Sequence, residues 1–508
     1  MSLLAVDMGS SSCKAVVFSE DGHTLAEKIC SYPTLQRPHP SWAETSAETF
    51  WQAFTSATQS VSAKVPADPV EVLAISSHGE SFVPVDAHNQ PIAPAILNID
   101  NRATSEAHFV AEKLGRKLIF EITGQTAHPM YPLAKMLWLR RRQSNMFSAA
   151  KRFLAVPTYI LTRLGLPAYV DYSLASRYLT FDIHKLSWSS EILSTFDLLP
   201  EQLPAAVPAG TVAGELSTGM GAELGLRLGT LIVVGGHDQP CGALGCGVLE
   251  PGRVFASLGT YECLVTASHK PVLSDPALAA NLNSYCHVVP QRYVTLAYFP
   301  AGIMLDWFLR ALGPEDARVE TNIGELCRRM EAQASEDPSG LCITPHLFGT
   351  CNPDFDPQAT GVIAGIRPGT SRADLYKGIL EGIACEFANM SDLLQATAGA
   401  FREVHVSGGG TASPFGLKLR ASLSGCELQL MDCPDSVCLG TAMLAGLAAG
   451  KYGCFCEASE QLVRVGETVE PDQALAKRYK QQRQQYGLLY SSLAPLRRAQ
   501  GELRQGAE

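Results

Sequence analysis

The chain has 508 residues, a formal net charge of −10 and a sequence pI near 5.7. This acidic balance argues against a nucleic acid or an anionic membrane surface as the main partner, because both are negatively charged themselves. Hydrophobic residues make up 46% and charged residues 18% of the chain, which is typical of a globular protein. The length predicts two large domains rather than a single core.

Cysteine usage and the first residues bear on the compartment. The fifteen cysteines are spread along the chain without a CxxC pair, and Cys454 and Cys456 form only a CxC, so we expect neither a disulfide framework nor a metal site there. Residues 1–7 lack the basic region and long apolar core of a secretory signal, and no apolar run reaches membrane-span length. We therefore expect a cytoplasmic protein with free thiols and no membrane partner.

The first predicted elements are short strands around a glycine–serine turn. Residues 3–6 and 15–18 are apolar runs, and Asp7-Met-Gly-Ser-Ser-Ser-Cys-Lys14 lies between them. This pattern predicts two antiparallel strands joined by a tight hairpin, with residues 24–31 pairing back as a third strand. The backbone N–H groups and hydroxyls of such a hairpin can bind a phosphate, and a plain surface hairpin is the alternative.

Polar residues follow the next apolar segments at the points where those segments end. A helix is predicted over residues 45–63 and strands over residues 70–75 and 82–85, and an apolar segment follows at 94–102. Site residues are frequent at such ends. The candidates are His78, Glu80, Asn98, Asp100 and Arg102. Taken singly, the histidine is better explained as a structural group and the arginine as a surface charge.

The middle of the chain leads to a short apolar strand followed by an acid. Residues 102–199 are mostly helical in pattern, and residues 200–229 are predicted as loops because they are rich in Pro, Gly and Ala. In Leu231-Ile-Val-Val-Gly-Gly-His-Asp-Gln239, the four apolar residues predict a buried strand that the two glycines break before a helix opens. Asp238 is thus expected beside a helix N-terminus, where open α/β sheets bind ligands. It can act as a base, a magnesium ligand or a helix cap.

The second half of the chain repeats the first hairpin. Val254-Phe-Ala-Ser-Leu-Gly-Thr-Tyr-Glu-Cys-Leu-Val-Thr266 again predicts a strand, a tight turn and a strand. Alignment of the two hairpins places Gly259-Thr260 on Gly9-Ser10 and Ser257 on Asp7. The sequence therefore predicts two related halves, of which only one hairpin carries a carboxylate. Two facing phosphate hairpins with a single acid suit a metal–nucleotide complex between two lobes.

A triple glycine follows another predicted strand farther along the chain. Residues 403–407 form the strand, Gly408-Gly-Gly-Thr-Ala-Ser413 follows it, and a helix begins near Pro414. A nucleotide can lie against bare backbone here, although the motif is neither a Walker A loop nor GxGxxG. The other predicted elements are helices over residues 301–312, 320–334, 371–396 and 472–493, a helix opened by Asp435, a polar loop at 345–357 and a polar tail after Pro495.

Together these motifs resemble those of the FGGY carbohydrate kinases, the group of xylulokinase, glycerol kinase and fuculokinase. The resemblance runs from Asp7 to about Ala445 and rests on the order and spacing of the motifs rather than on any single one. The matching pieces are Asp7-Met-Gly-Ser-Ser-Ser-Cys-Lys14, residues 76–80 and 96–102, Gly235-Gly-His-Asp-Gln239, Ser257-Leu-Gly-Thr260, Asp356-Pro-Gln-Ala-Thr-Gly361, Leu380-Glu-Gly382, Gly408-Gly-Gly410 and Gly440-Thr-Ala442.

The resemblance implies a two-lobed, actin-like (RNase H-like) α/β ATPase fold. Sugar and ATP are expected in the cleft between duplicated domains at residues 1–245 and 246–508. The implied reaction is transfer of the γ-phosphoryl group of ATP to a hydroxyl of a small sugar, ketose or polyol, with ATP and Mg²⁺ as cofactors. The habits of the family make a ketopentose or similar ketose the default substrate and a homodimer the default assembly.

The resemblance also implies roles for individual residues. By position, Asp238 corresponds to the general base and Asp7 to the residue that holds magnesium. The implied ATP-binding residues are Ser10, Ser11, Lys14, Gly259, Thr260, Gly408, Gly409, Gly410 and Ser413. The implied sugar-binding residues are His78, Glu80, Asn98, Asp100 and Gln239. The chemistry is consistent, because phosphoryl transfer needs positioning, charge neutralisation and an acceptor for the hydroxyl proton.

Three positions depart from the family pattern. Asn98-Ile-Asp100 stands where the family often has Trp-Asn-Asp or Trp-Gln-Asp, so a polar amide replaces an aromatic wall of the sugar pocket. Gly349-Thr-Cys351 replaces the Gly-Glu-Arg of several members, and Gly416 and Lys418 stand where xylulokinases have Trp and Gln. Two other classes stay open: an ATP-driven conformational protein of the actin or heat-shock type, and a catalytically silent sugar-binding regulator.

Overall fold

A mixed β-sheet in each half of the chain forms the framework of the molecule. The structure is a computed structural model that describes residues 2–33, 35–313, 323–334, 337–433, 435–497 and 499. The N-terminal strands are β1 (Ser2–Met8), β2 (Ser12–Phe18), β3 (Thr24–Ser31), β4 (Glu44–Thr45), β5 (Val70–Ser77), β6 (Phe82–Val85), β7 (Ala95–Ile96), β8 (Arg152–Ala155), β9 (Tyr169–Asp171), β10 (Phe181–Asp182), β11 (Ser187–Trp188), β12 (Ala205–Val207), β13 (Val212–Glu215) and β14 (Leu231–His237). The helices of this half are α1 (Ala47–Ser62), α2 (Thr104–Leu114), α3 (Arg116–Thr123), α4 (Pro132–Arg142), α5 (Ser144–Ala149), α6 (Val156–Arg163), α7 (Tyr172–Ser176), α8 (Ser190–Thr195), α9 (Thr218–Leu224) and α10 (Asp238–Gly245).

The C-terminal half contains the second sheet and a longer set of helices. Its strands are β15 (Arg253–Leu258), β16 (Tyr261–Ser268), β17 (Asn283–Cys286), β18 (Tyr293–Pro300), β19 (Cys342–Thr344), β20 (Val362–Ala364), β21 (Glu403–Ser407), β22 (Glu427–Met431) and β23 (Val465–Val469). Its helices are α11 (Asp275–Ala279), α12 (Gly302–Ala311), α13 (Ile323–Gln333), α14 (Arg372–Ala398), α15 (Pro414–Ser424), α16 (Ser436–Ala448), α17 (Phe455–Leu462) and α18 (Gln473–Ser492). Short 3-10 helices lie at Pro200–Gln202 and Gly409–Ala412.

Both sheets are built around a central strand that pairs in parallel on one side and antiparallel on the other. Their strand orders are β13-β14-β5-β1-β2-β3 and β23-β22-β21-β15-β16-β18-β17. β1 runs parallel to β5 and antiparallel to β2, and β15 has the same relation to β21 and β16. Asp7 faces Ser76 across the first parallel pair, and Ser257 faces Ser407 at the equivalent place. The halves are therefore duplicated, and the fold is the predicted two-lobed, actin-like α/β fold.

Two helices cross between the sheets and join the halves. α10 packs on α16, and α16 also packs on β1 and β5 of the first sheet. A Cβ atom at Gly245 would lie 1.9 Å from the Ser436 carbonyl oxygen, and a Cβ atom at Gly440 would lie 1.9 Å from the Cys241 carbonyl oxygen. Each helix thus approaches the other at a glycine, and a side chain at either position would push the helices apart.

The predicted elements agree with the structure except where tertiary contacts determine the local backbone conformation. The prediction that two glycines break the strand before Asp238 is wrong, because β14 continues through them to His237. A Cβ atom at Gly235 would lie 2.3 Å from the Ile75 carbonyl oxygen, so the glycines allow a close, irregular pairing with β5. Strands β8 to β11 interrupt the region predicted as mostly helical, and β12, β13 and α9 lie in the predicted loops.

Two further predictions reach beyond the described residues. The helix predicted over residues 320–334 is α13, which begins at Ile323, and residues 320–322 lie outside the described part. The terminal helix α18 ends at Ser492. Most of the predicted polar tail, including residues 500–508, also lies outside the described part of the chain. Among the described helices, none is both long and apolar enough to cross a membrane.

Candidate active site

The carboxyl ends of the neighbouring strands β1, β5 and β14 bring the two predicted acids to one edge of the first sheet. Asp7 lies near the end of β1, and its Oδ1 accepts a hydrogen bond of 3.0 Å from the Ser76 hydroxyl on β5. His237 ends β14 opposite Ser77, and Asp238 follows it as the first residue of α10. The sequence-based expectation that polar residues meet at strand ends is thus met for this pair.

Asp238 combines burial with an unused oxygen. Its side chain is 23% exposed, and Oδ1 lies 3.2 Å from His237 Nε2 yet accepts no hydrogen bond within the described residues. Burial, followed by the negative charges of Asp7 and Glu80, raises the pKa of Asp238 well above its usual value. The N-cap position belongs to His237, and its side chain makes no capping bond, so the helix-cap alternative does not describe Asp238.

Asp7 has a second acid nearby that sequence reasoning did not place in the site. Asp435 caps α16 by accepting a 2.8 Å hydrogen bond from the Cys438 backbone N–H, and it pairs with Lys14 at 2.8 Å. Burial, followed by the charge of Asp435, raises the pKa of Asp7 to about 7. The sequence signalled the cap, because Asp435 precedes an Ala-rich helix, but it gave no sign of the ion pair.

The donor set at Asp7 fits a magnesium ion that is shared with phosphate groups. Within the described residues, no three His, Cys, Asp or Glu side chains form a ready-made metal cage. Mg²⁺ commonly binds through one or two carboxylates, water and substrate phosphates, so such a cage is not required. After burial, the charge of Asp435 raises the pKa of Asp7 and the charge of Asp7 raises the pKa of Asp238, and a divalent cation would relieve this repulsion among the acids.

The two predicted phosphate hairpins are present at equivalent edges of the sheets. Ser10 and Ser11 are exposed in the turn between β1 and β2, and Gly259 and Thr260 are exposed between β15 and β16. In the second hairpin, the Gly259 carbonyl accepts a 3.1 Å hydrogen bond from the Gly302 N–H at the start of α12. The second hairpin is therefore fixed against a helix start, a contact that the sequence did not predict.

The triple glycine lies directly against the second hairpin. A Cβ atom at Gly408 would be 2.7 Å from the Leu258 carbonyl oxygen, and one at Gly410 would be 2.7 Å from Leu258 Cβ. Gly409 begins the 3-10 helix that follows Gly408. Ser413 then caps α15, since its hydroxyl oxygen accepts a 3.0 Å hydrogen bond from the Gly416 N–H. The predicted ATP-binding groups of the C-terminal half are thus brought together around the end of β15.

His78 is tied into the protein through both ring nitrogens. Nδ1 lies 2.7 Å from the Met8 carbonyl oxygen, which can only accept, so Nδ1 carries the proton. Nε2 then accepts from the Ser81 hydroxyl at 2.7 Å, and the Ser81 oxygen accepts from the Asn98 N–H at 2.9 Å. Burial lowers the pKa of His78, which keeps the ring neutral. His78 therefore connects the Asn98 segment to the end of β1.

Glu80 has an unusual backbone conformation and a buried cationic partner. Its φ angle is +62°, a region that non-glycine residues seldom adopt. Its carboxylate accepts a hydrogen bond from Arg177 Nε, and both side chains are only 5% exposed. Arg177 also reaches Asn283 on β17 of the second sheet at 3.4 Å. Sequence reasoning missed Arg177, because a single arginine after a short helix carries no local signal.

The segment that contains Asp100 is held by a buried arginine. Asp100 Oδ2 accepts from the Ala43 N–H at 2.6 Å and from Arg102, and Oδ1 accepts from the Arg102 N–H at 3.0 Å. The Arg102 guanidinium lies against the rings of Trp42 and Trp138, at 4.1 Å and 5.0 Å from their centroids. Arg102 is therefore a buried group rather than a surface charge, and the Asp100 oxygens are engaged with the protein.

Lys135 joins the two segments that carry Glu80 and Asn98. Its side chain on α4 is fully buried, and Nζ donates to the carbonyl oxygens of Glu80 at 3.1 Å and Leu97 at 2.6 Å. Burial lowers the pKa of Lys135 to about 7. A lysine in a helix that ends in three arginines gives no sequence signal of burial, so this role was also missed.

Two of the predicted sugar-binding residues and the predicted base carry buried oxygen atoms without a hydrogen-bond partner. These atoms are Oδ1 of Asn98, Oδ1 of Asp238 and Oε1 of Gln239, each unpartnered within the described part of the chain. Buried polar atoms are normally hydrogen-bonded, so unpaired acceptors grouped with a perturbed acid indicate a place for a ligand that donates hydrogen bonds.

Comparisons with known proteins agree with this fold and show the family. Family models for the N-terminal and C-terminal domains of the FGGY family of carbohydrate kinases match residues 2–245 and 254–449. The gluconokinase of Bacillus subtilis (strain 168) is 25% identical over 487 residues, 94% of this chain and 93% of that protein. The xylulose kinase of Escherichia coli (strain K12) is 28% identical over 498 residues, 97% of this chain and 99% of that protein.

A solved structure reproduces the whole fold. A ligand-bound xylulose kinase from Lactobacillus acidophilus has a TM-score of 0.87 at 22% identity, over 97% of this chain and 98% of that one. The duplicated sheets thus define an actin-like, two-lobed phosphotransferase fold. The chain belongs to the FGGY family of carbohydrate kinases and is a sugar kinase.

Proposed function

We propose that this kinase transfers the γ-phosphoryl group of ATP to a hydroxyl group of a small sugar, ketose or polyol, with Asp238 as the general base. The observation that carries the proposal is the set of unpartnered oxygens on Asn98, Asp238 and Gln239. Leaving such acceptors unpaired is costly, and the hydroxyl groups of a sugar supply donors. The names of the relatives, xylulose kinase and gluconokinase, support a small acceptor of this kind.

The first sheet supplies the proposed acid–base chemistry. Asp238 would accept the hydroxyl proton as the phosphoryl group arrives, and its raised pKa makes the carboxylate a stronger proton acceptor than an ordinary aspartate. Glu80, Asn98 and Gln239 would bind the sugar. His78 and Asp100 would act on the sugar through the segments they hold, because their polar atoms already have protein partners.

The nucleotide is proposed to lie between the hairpins, with the domains divided at residues 1–245 and 246–508. The groups proposed to hold ATP are Ser10, Ser11, Lys14, Gly259, Thr260, Gly408, Gly409, Gly410 and Ser413. Asp7 would hold Mg²⁺, which, when bound, neutralises charge on the phosphates. Lys14 would have to share its ammonium group with Asp435, because the two are paired at 2.8 Å.

A substrate screen tests the proposal. Coupled ADP release is measured with the purified chain and Mg-ATP over pentuloses, hexuloses, tetritols, pentitols and glycerol, and products are identified by mass. We expect at least one compound to stimulate ADP release strongly and to gain one phosphoryl group. ATP turnover that no sugar stimulates would instead fit an ATP-driven conformational protein. Sugar binding without transfer across the panel would fit a catalytically silent regulator.

A further inference from the structure

We propose that the sugar pocket accepts an uncharged polyhydroxylated substrate and rejects sugar acids, because the cations around it already have protein acceptors and its unpartnered buried oxygens need donors that a carboxylate lacks. The inference rests on the proposed kinase function and narrows the substrate class. Relatives named gluconokinase and xylulose kinase lie on opposite sides of this distinction. Family membership therefore does not decide whether the substrate is neutral or acidic. The charged residues of this chain have to decide it.

Arg177 is the buried guanidinium beside Glu80, and it is held from several sides. Its Nε donates to the Glu80 carboxylate, and Nη1 lies 3.4 Å from Asn283 Oδ1. Its guanidinium carbon is 4.8 Å from the ring centroid of Tyr285 and 5.3 Å from that of Tyr131. A substrate carboxylate would have to compete with Glu80 for this group, and breaking a buried pair leaves an uncompensated charge behind.

Lys135 is equally unavailable. Its ammonium group donates to the backbone carbonyls of Glu80 and Leu97 and has no exposed surface. The charges facing it are those of Asp100, Glu80 and Arg102, and burial outweighs the two acids in lowering the pKa of Lys135 to about 7. The ammonium group thus stabilises the backbone behind the pocket rather than presenting a positive charge to the substrate.

The two remaining cations near the site are also paired. Arg102 binds Asp100 and Glu44, and its side chain is almost completely buried. Lys14 pairs with Asp435 at 2.8 Å. Each of these four cationic groups, all in the described part of the chain, therefore already has at least one protein acceptor before any substrate arrives.

The unpartnered buried atoms of the pocket are hydrogen-bond acceptors, and the carboxylates of Asp7 and Glu80 act on the same place. The unpartnered atoms are oxygens of Asn98, Asp238 and Gln239. After burial, the charges of Asp7 and Glu80 raise the pKa of Asp238 and the charge of Arg177 lowers it, so two acids and one cation that is already paired face this group. A hydroxyl group donates to such oxygens, whereas a carboxylate offers only acceptors and adds a negative charge to a partly desolvated site. The pocket thus favours neutral substrates and repels acids.

The test compares neutral compounds with sugar acids on the purified full-length chain. Initial rates with Mg-ATP are measured for pentuloses, pentitols and hexitols, and for pentonates and D-gluconate at matched concentrations. We expect kcat/KM of the best neutral compound to exceed that of every acid by at least about 100-fold. An acid with kcat/KM within about tenfold of the best neutral compound overturns the inference and leaves the kinase proposal intact.

A binding measurement separates the two proposals further. If neither class is phosphorylated, the kinase proposal fails, and calorimetric titration of D-xylulose, ribitol and D-gluconate into the chain tests the pocket by itself. Binding of a neutral compound without binding of D-gluconate supports the inference. Equal binding of both classes, or binding of neither, overturns it.

Variants identify the charge responsible. Glu80→Gln removes one negative charge and releases Arg177, so we expect the neutral-to-acid ratio of kcat/KM to fall at least about tenfold. Glu262→Gln is the matched control, because Glu262 forms a buried pair with Arg420 in the C-terminal half, and it should leave the ratio within about twofold.

The ratio protects this test against loss of folded protein, since both substrates are measured on the same preparation. If Glu80→Gln yields no folded protein, Asn98→Lys adds an unpaired ammonium group at the pocket, and we expect it to shift the ratio in the same direction. An unchanged ratio in a folded variant of either kind contradicts the inference.

Discussion

The two halves of the molecule share one strand pattern but differ in chemistry at the equivalent edge. In the first half the central strand carries Asp7, and the neighbouring strand β14 leads into Asp238. In the second half Ser257 takes the place of Asp7, and the edge ends in Gly259 and the glycine turn that starts at Gly408. Acid–base and metal chemistry needs carboxylates, whereas a nucleotide can approach the backbone closely only where glycine provides no side chain. Under the proposed assignment of roles, the duplicated fold separates these two tasks.

Among the variants that compare the two halves, the largest expected effect comes from removing the charge that distinguishes the two edges. Asp7→Asn keeps the acceptor for the Ser76 hydroxyl but loses the carboxylate, so we expect kcat to fall by about 100-fold or more. Ser257→Ala at the equivalent place should change kcat by less than about threefold. Steady-state rates at saturating sugar and ATP check both values. Equal losses in the two variants would remove the proposed difference between the edges.

Calorimetry on Asp7→Asn sharpens the same comparison. Burial raises the pKa of Asp7 to about 7. At pH values above the ordinary pKa of an aspartate, the folded state therefore disfavours the charged carboxylate relative to the unfolded state. This destabilisation is absent at low pH and grows as the pH rises toward 7. We therefore expect the Tm of Asp7→Asn to equal or exceed that of the unmodified chain at pH 8. A large fall in Tm would show that Asp7 stabilises the fold.

The helix crossing that joins the halves provides a stability test. Gly440→Ala places a methyl group 1.9 Å from a carbonyl oxygen of α10, so we expect a loss of about 1–3 kcal/mol in the free energy of unfolding. Gly219→Ala on α9 meets no atom within 4 Å and should be neutral or stabilise by about 0.5–1 kcal/mol. Denaturant titration of both variants measures the difference, and similar values would contradict the close crossing.

Buried lysines in the two halves provide a smaller contrast. Lys135→Met removes the donor to the backbone of Glu80 and Leu97, so we expect the KM for sugar to rise about tenfold with a smaller change in kcat. Lys377 in α14 is also buried and donates to the Asp337 carbonyl, away from the proposed sugar site. Lys377→Met should leave the KM unchanged. A shift in the KM of both variants would indicate a general loss of structure.

The smallest expected effect is a displacement of the pH profile. Asp238 must be deprotonated to accept a proton, so kcat/KM should fall as the pH drops through its raised pKa. The charge of Glu80 raises this pKa and the charge of Arg177 lowers it. Glu80→Gln should therefore move the acidic limb to lower pH and Arg177→Gln to higher pH, each by at most about one unit. Shifts in the same direction would contradict the assignment.

Features written in consecutive residues could be predicted from the sequence. The hairpins, the glycine turn and the acid after β14 are local patterns of apolar runs, glycines and polar residues, and the structure contains all of them. The duplication was also predictable, because the same pattern occurs twice. The resemblance to the family then predicted one shared function for these motifs.

The partners of the site residues could not be predicted in this way. Arg177 lies 97 residues from Glu80, and Lys135 lies 55 residues from it, so only the folded chain joins them. The glycines of β14 were misread as a strand end because their reason, a close approach to β5, is also a tertiary contact. Burial turned Arg102 from an expected surface charge into a structural group for the same reason.

The central claim is that Asp238 accepts the proton of a sugar hydroxyl. The most direct test is formation of phosphorylated sugar by Asp238→Ala, measured together with its affinity for ATP by calorimetric titration. We expect product formation to fall by at least about 1,000-fold while the Kd for ATP stays within about threefold. Near-normal turnover on the same substrate would contradict the account.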